Sequence, residues 1–156
     1  MPIVEWIGAW PGALLLQRSG TAYLFVNAAH ILGVGLLVGA VLPLDLRLLG
    51  FFRSVPLGVI GPFLSRAAAV GVGVAIVTGV WLFTVKPAEY LENWAFLCKI
   101  GLLVLALANV AVQHGSRRFA RAVAGGAVPP VVRAVALCSA LLWLSVLLTG
   151  RWIGFV

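Results

Sequence analysis

Four long apolar windows of roughly 18 to 23 residues dominate the chain, each long enough to cross a bilayer as a helix. They run from about Thr21 to Pro43, Phe63 to Val85, Trp94 to Gln113 and Val131 to Gly150. Turn-forming residues separate them: Pro56, Gly58, Gly61 and Pro62, then Lys86 and Pro87, then Gly125, Gly126, Pro129 and Pro130. Ahead of the first window, residues 2 to 17 contain Trp6 and Trp10 but few charges. That pattern predicts a helix lying in the membrane interface, with Pro11 able to break it. The expected fold is a single all-α membrane domain over residues 1–156, a four-helix bundle with an N-terminal interfacial helix.

Composition supports lipid as the solvent. Of 156 residues 63% are hydrophobic and 10% charged, against roughly 25% charged in soluble domains. The net charge of +7 raises the question of nucleic acid, but the basic residues sit in short loops between apolar windows rather than on one solvated face. Anionic headgroups and membrane topology explain that placement, and no nucleic-acid partner is expected. Cys98 and Cys138 form no metal-type pair, and Glu5 stands where a signal peptide would carry a basic residue.

Lysine and arginine set the expected orientation. Arg47, Arg53, Arg66, Arg117, Arg118, Arg121 and Arg133 fall on one side, and Arg18, Lys86, Lys99 and Arg151 on the other. The richer side is expected to face the cytoplasm, which puts both termini outside, periplasmic in a bacterial inner membrane.

Small residues recur where helices could meet: Ala67, Gly71, Ala75 and Gly79 on the second span, Gly35 and Gly39 on the first. Such stripes let helix backbones approach in lipid. Alternatively the glycines leave room for a flat cofactor, which Gly33 beside His30 would suit.

Chemistry concentrates at few positions. His30 lies inside the first span, ~13 Å below the outer boundary at 1.5 Å per residue. A titratable ring at that depth points to function. On the same count Thr78, Trp143 and Lys99 fall in the same half, Trp81 is slightly shallower, Arg151 is near the interface, and Asn27 is one turn from His30. These residues define a candidate outer site with His30 as metal ligand, proton carrier or structural hydrogen bonder. Lys99 either snorkels to the surface or faces His30, and Trp81 and Trp143 are either core aromatics or walls for a planar ligand.

His114 ends the third span ~16 Å deeper than His30, too far for both to bind one metal. It groups with Asp45, Arg47 and Arg66 in an inner-face polar cluster, where Asp45 and Arg47 are expected to pair or to form a gate. Asn109 reads as a helix-to-helix hydrogen bond. No phosphate loop, nucleophile elbow or zinc-helix motif is present, and only Asp45 among the four acidic residues adjoins a span.

The segments N-A-A-H-I-L-G-V-G-L-L-V-G at Asn27 to Gly39, D-L-R-L-L-G at Asp45 to Gly50, T-G-V-W-L-F at Thr78 to Phe83, F-L-C-K at Phe96 to Lys99 and T-G-R-W-I at Thr149 to Ile153 resemble a group of uncharacterised bacterial four-span membrane proteins. More distantly the layout is similar to HemJ-type protoporphyrinogen oxidases and CopD-type copper-resistance proteins. In the former an early-span histidine and a lysine early in a later span are the key residues and a b-type haem is bound. His30 and Lys99 match those positions in order and depth, and His114 resembles a later histidine. The loop and terminal motifs of the oxidases are absent, so the resemblance implies haem more than it implies that reaction. Met1 is the one methionine, which leaves few soft ligands for copper.

Three functions remain open on the sequence. One is a haem b protein, with His30 axial and Lys99 and Arg151 near the propionates, working in electron transfer or oxidation of a small hydrophobic substrate. Another is a transporter or channel for a metal ion, proton or small solute. The last is an accessory subunit of a membrane complex. A homo-oligomer or a redox partner is compatible with each.

Overall fold

The computed structural model describes residues 2–155. Eight helices and a closing 3-10 turn (Ile153–Phe155) follow in order: α1 Pro2–Ala9, α2 Pro11–Arg18, α3 Gly20–Leu49, α4 Leu57–Phe83, α5 Pro87–Glu92, α6 Trp94–His114, α7 Arg117–Val123 and α8 Pro130–Trp152. Helices α3, α4, α6 and α8, the last with its closing turn, are long and apolar enough to cross a membrane. The chain is therefore a multi-pass membrane protein built as an all-α four-helix bundle.

Local chemistry sets the helix ends. The Ser19 hydroxyl accepts the Ala22 N–H at 3.2 Å and starts α3. Gly50 ends it at φ 110°, a left-handed conformation that glycine adopts without steric cost, and its N–H returns to the Leu46 and Arg47 carbonyls. The helix runs on through Pro43 to Leu49, beyond the apolar window. Neighbouring helices make an interior proline tolerable in a span. Asn93 caps α6 through Phe96 N–H at 3.1 Å, and Pro130 opens α8, where its missing N–H costs nothing.

Each span is apolar on nearly every side, as lipid requires. On α3, Leu37, Leu44 and Leu48 are buried while Phe25, Ile31 and Leu32 face outward. Antiparallel α3 and α4 pack closely, as do α6 and α8, and α3 also packs on α8. Helices α4 and α6 are not among the closely packed pairs. Their side chains meet where Phe83 stacks on Phe96 and where His114 reaches Ser65, and a gap lies between them beside α3 and α8.

The α3–α4 contact passes through Gly33 and Gly71. A Cβ on Gly71 would lie 2.5 Å from the Leu37 nitrogen and 2.8 Å from the Gly33 carbonyl oxygen. The expectation for α3 is corrected here: Gly35 and Gly39 have open space around them, and Gly33 makes the close approach. Residues two and six positions beyond Gly33 lie on other faces of the helix, which turns Gly35 and Gly39 away from α4.

Helices α1, α2 and α5 cover the end that carries both termini. Pro11 divides the N-terminal segment into α1 and α2. The Trp81 indole N–H donates to Gly12 O at 2.9 Å, and the Gln17 amide donates to Gly8 O and Val85 O. Phe83, Tyr90 and Phe96 form an aromatic cluster beside them. Burial pushes the Tyr90 phenol above its ordinary value, and the hydrogen-bonded Glu89 carboxylate lifts Lys86.

Candidate functional site

The site near the termini is built from α3, α4 and α6. His30 Nδ1 lies 3.0 Å from Thr78 Oγ1. The Thr78 hydroxyl proton is directed to the Val74 carbonyl at 2.6 Å, which leaves an oxygen lone pair facing the ring. Nδ1–H is therefore the donor, and Nε2 keeps an unprotonated lone pair. Gly79 makes room for the ring, since a Cβ there would lie 3.0 Å from His30 Cε1. Lys99 extends from α6 across Gly150 of α8, its Nζ 3.5 Å from where a Gly150 Cβ would sit, and lies within electrostatic reach of His30. It makes no ion pair with a carboxylate among the described residues.

Other candidate residues lie elsewhere. Asn27 sits half-exposed one turn from His30. Trp81 turns to α2 and lies tilted against Trp10, with ring centroids 6.4 Å apart. Arg151 is exposed, with its guanidinium 4.5 Å from the Phe155 ring. Trp143 is buried in the other half of the bundle. The space beside Gly33 is filled by the α4 backbone, with Ala75 N 2.8 Å from its would-be Cβ, so that glycine serves helix contact and leaves no slot.

The arginine-rich half holds a cavity of about 300 Å³ in the gap between α4 and α6, where Asp45, Gln113, His114, Arg66 and Trp143 contribute to its lining. His114 Nδ1–H donates to Val110 O at 3.1 Å and Nε2 meets the Ser65 hydroxyl at 3.3 Å. The partners of the two histidines, Thr78 and Ser65, stand 13 residues apart on α4, about 20 Å along the helix. The rings therefore belong to separate places.

The expected pairing of Asp45 with Arg47 does not form. Arg47 turns to the α3–α4 loop, donating from Nε to Val55 O at 2.8 Å and from a terminal nitrogen to Arg53 O. Two residues on a helix lie about 200° apart, so the carboxylate faces the bundle and the guanidinium faces out. The Asp45 carboxyl instead faces the Ser139 hydroxyl of α8. Asn109 donates to Val135 O of α8 at 3.3 Å.

Sequence reading did not single out Gln113, Ser139 or Ser65. All three are polar residues within apolar windows, and that signal could have found them.

Among the described residues no group of three or more His, Cys, Asp or Glu could hold a metal ion. Any metal at His30 would have to bring most of its own ligands.

A four-span membrane bundle with a tautomer-fixed histidine in one half and a lined cavity in the other defines the class. Residues 5–156 match the model of a family of unknown function, DUF6644, and the chain belongs to that family. No curated protein and no solved structure matches it.

Proposed function

We propose that this is a haem b-binding membrane protein that transfers electrons or oxidises a small hydrophobic substrate, with His30 as axial ligand through Nε2. The observation that carries this reading is the Nδ1–H to Thr78 hydrogen bond. A ligating imidazole characteristically gives its other N–H to an acceptor, which fixes tautomer and ring direction. The donor set fits: a porphyrin supplies four nitrogens, so one protein imidazole suffices where a bare ion would need several side chains. Lys99, with no carboxylate partner among the described residues, would suit a haem propionate.

When bound, the haem supplies one-electron chemistry. The chain's own part is to hold the imidazole by Thr78 and Gly79, to set positive charge beside it with Lys99, and to exclude water with its apolar spans. We assign it to the bacterial cytoplasmic membrane with both termini periplasmic, on the seven-to-four division of basic residues. A redox partner or second copy would complete the electron path.

His30→Ala is expected to lose the pigment, and His114→Ala to keep it, in purified protein of equal helicity. A full Soret band in His30→Ala would sink the proposal.

A further inference from the structure

The second cavity is unlike the His30 site in its chemistry. Three buried side-chain polar atoms lack a hydrogen-bond partner among the described residues: Asp45 Oδ2, Gln113 Oε1 and Trp143 Nε1. All three residues line the one cavity of about 300 Å³. Their relative exposures are 2%, 6% and 2%, so water outside the bundle does not satisfy them. A buried orphan polar atom is costly, and an unpaired carboxylate most of all. Their convergence, from α3, α6 and α8, marks a built site.

The remaining lining decides the occupant. Leu37, Val41, Val72 and Leu107 give the cavity apolar walls. Water could meet the polar groups, but the apolar walls would leave water in the rest of the space without partners, since a buried water needs two to four polar contacts. An apolar body with a polar head fits better, and the volume is at the small end for ligand sites, about 300–1,000 Å³.

Charge then selects the head. Asp45 is the one carboxylate in the lining, and neither basic neighbour forms an ion pair with it among the described residues. His114 spends its ring on Val110 and Ser65, and Arg66 lies exposed at the rim. The two orphan acceptors, Asp45 Oδ2 and Gln113 Oε1, call for a multiple N–H donor bearing positive charge. Trp143 stands one turn beyond Ser139 on α8, and it lines the same cavity, where the ligand's body would lie against it.

We propose that the cavity between α4 and α6 binds a small amphipathic organic cation, a primary ammonium on a short apolar body, with Asp45 and Gln113 accepting from the head. This site is separate from His30 and does not depend on haem.

Isothermal titration of 2-phenylethylammonium into the detergent-purified full chain tests it, with 2-phenylethanol as the neutral control. Saturable binding near one per chain is expected, at least about tenfold tighter for the ammonium, and weakened about tenfold or more by Asp45→Asn. Val72→Phe, which fills the cavity from α4 and leaves every polar group in place, should abolish it. That variant and the neutral control keep the test decisive if Asp45→Asn does not fold. Absent saturable binding, equal affinity for the alcohol, or unchanged affinity in Val72→Phe would overturn the proposal.

Discussion

The hydroxyl proton of Thr78 has its destination in the Val74 carbonyl 2.6 Å away, and this determines what the His30 ring offers. With Nδ1–H spent on Thr78, the free lone pair is on Nε2, the nitrogen our functional proposal uses. Thr78→Val keeps the shape and removes the acceptor. It should leave the fold intact and weaken haem retention by about 10- to 100-fold, the usual cost of losing such a partner, measured as haem per chain after dilution into haem-free detergent. Retention equal to the unaltered protein would show that Thr78 does not orient a ligand. His30, Thr78, Lys99 and Asn109 were legible from sequence because lipid makes polar residues inside apolar windows conspicuous, whereas Ser65, Gln113 and Ser139 were passed over. The partners of the former were less legible. Depth counting grouped His30 with Thr78 and Lys99, but it also grouped Trp81 and Arg151, whose side chains turn to α2 and to Phe155. Depth fixes height along a helix and says little about azimuth, which packing decides.

At the scale of elements, the α3–α4 pair depends on glycine at one crossing. Gly71→Ala would place a Cβ 2.5 Å from the Leu37 backbone nitrogen, forcing the helices apart at a cost of about 1–3 kcal/mol. Gly35→Ala meets open space and should be neutral or slightly stabilising. Thermal unfolding of both variants in one detergent checks the contrast, and equal melting temperatures would contradict this crossing. The four apolar windows predicted the spans well because twenty apolar residues in a row have few alternatives. Their ends were harder to read. Helix α3 continues through Pro43 to a left-handed stop at Gly50, since the hydrogen bonds that carry it past the apolar window leave no hydropathy signal. The glycine stripes named the right helices, yet on α3 they named the wrong face. A period of four fits several faces of one helix until a neighbour selects among them.

For the whole molecule, the two halves of the bundle carry different chemistry on a shared frame. One half holds a histidine with a fixed tautomer and a lysine; the other holds a cavity with a carboxylate, an amide and an indole. The cavity lies in the gap that α4 and α6 leave, a gap that no sequence pattern announced because it reflects which helices fail to pack. The proposed orientation predicts that Gly154→Cys, in a Cys98→Ser, Cys138→Ser background, reacts with a membrane-impermeant thiol reagent on intact cells. Gly126→Cys in that background should react after lysis alone, and the reverse pattern would invert the topology. The central claim, haem at His30, meets its most direct test in the absorption spectrum of the detergent-purified protein, oxidised and reduced, with haem quantified per chain. The account predicts a Soret band, sharp bands on reduction and about one haem per chain. A colourless protein, after expression with added haem precursor, would contradict it.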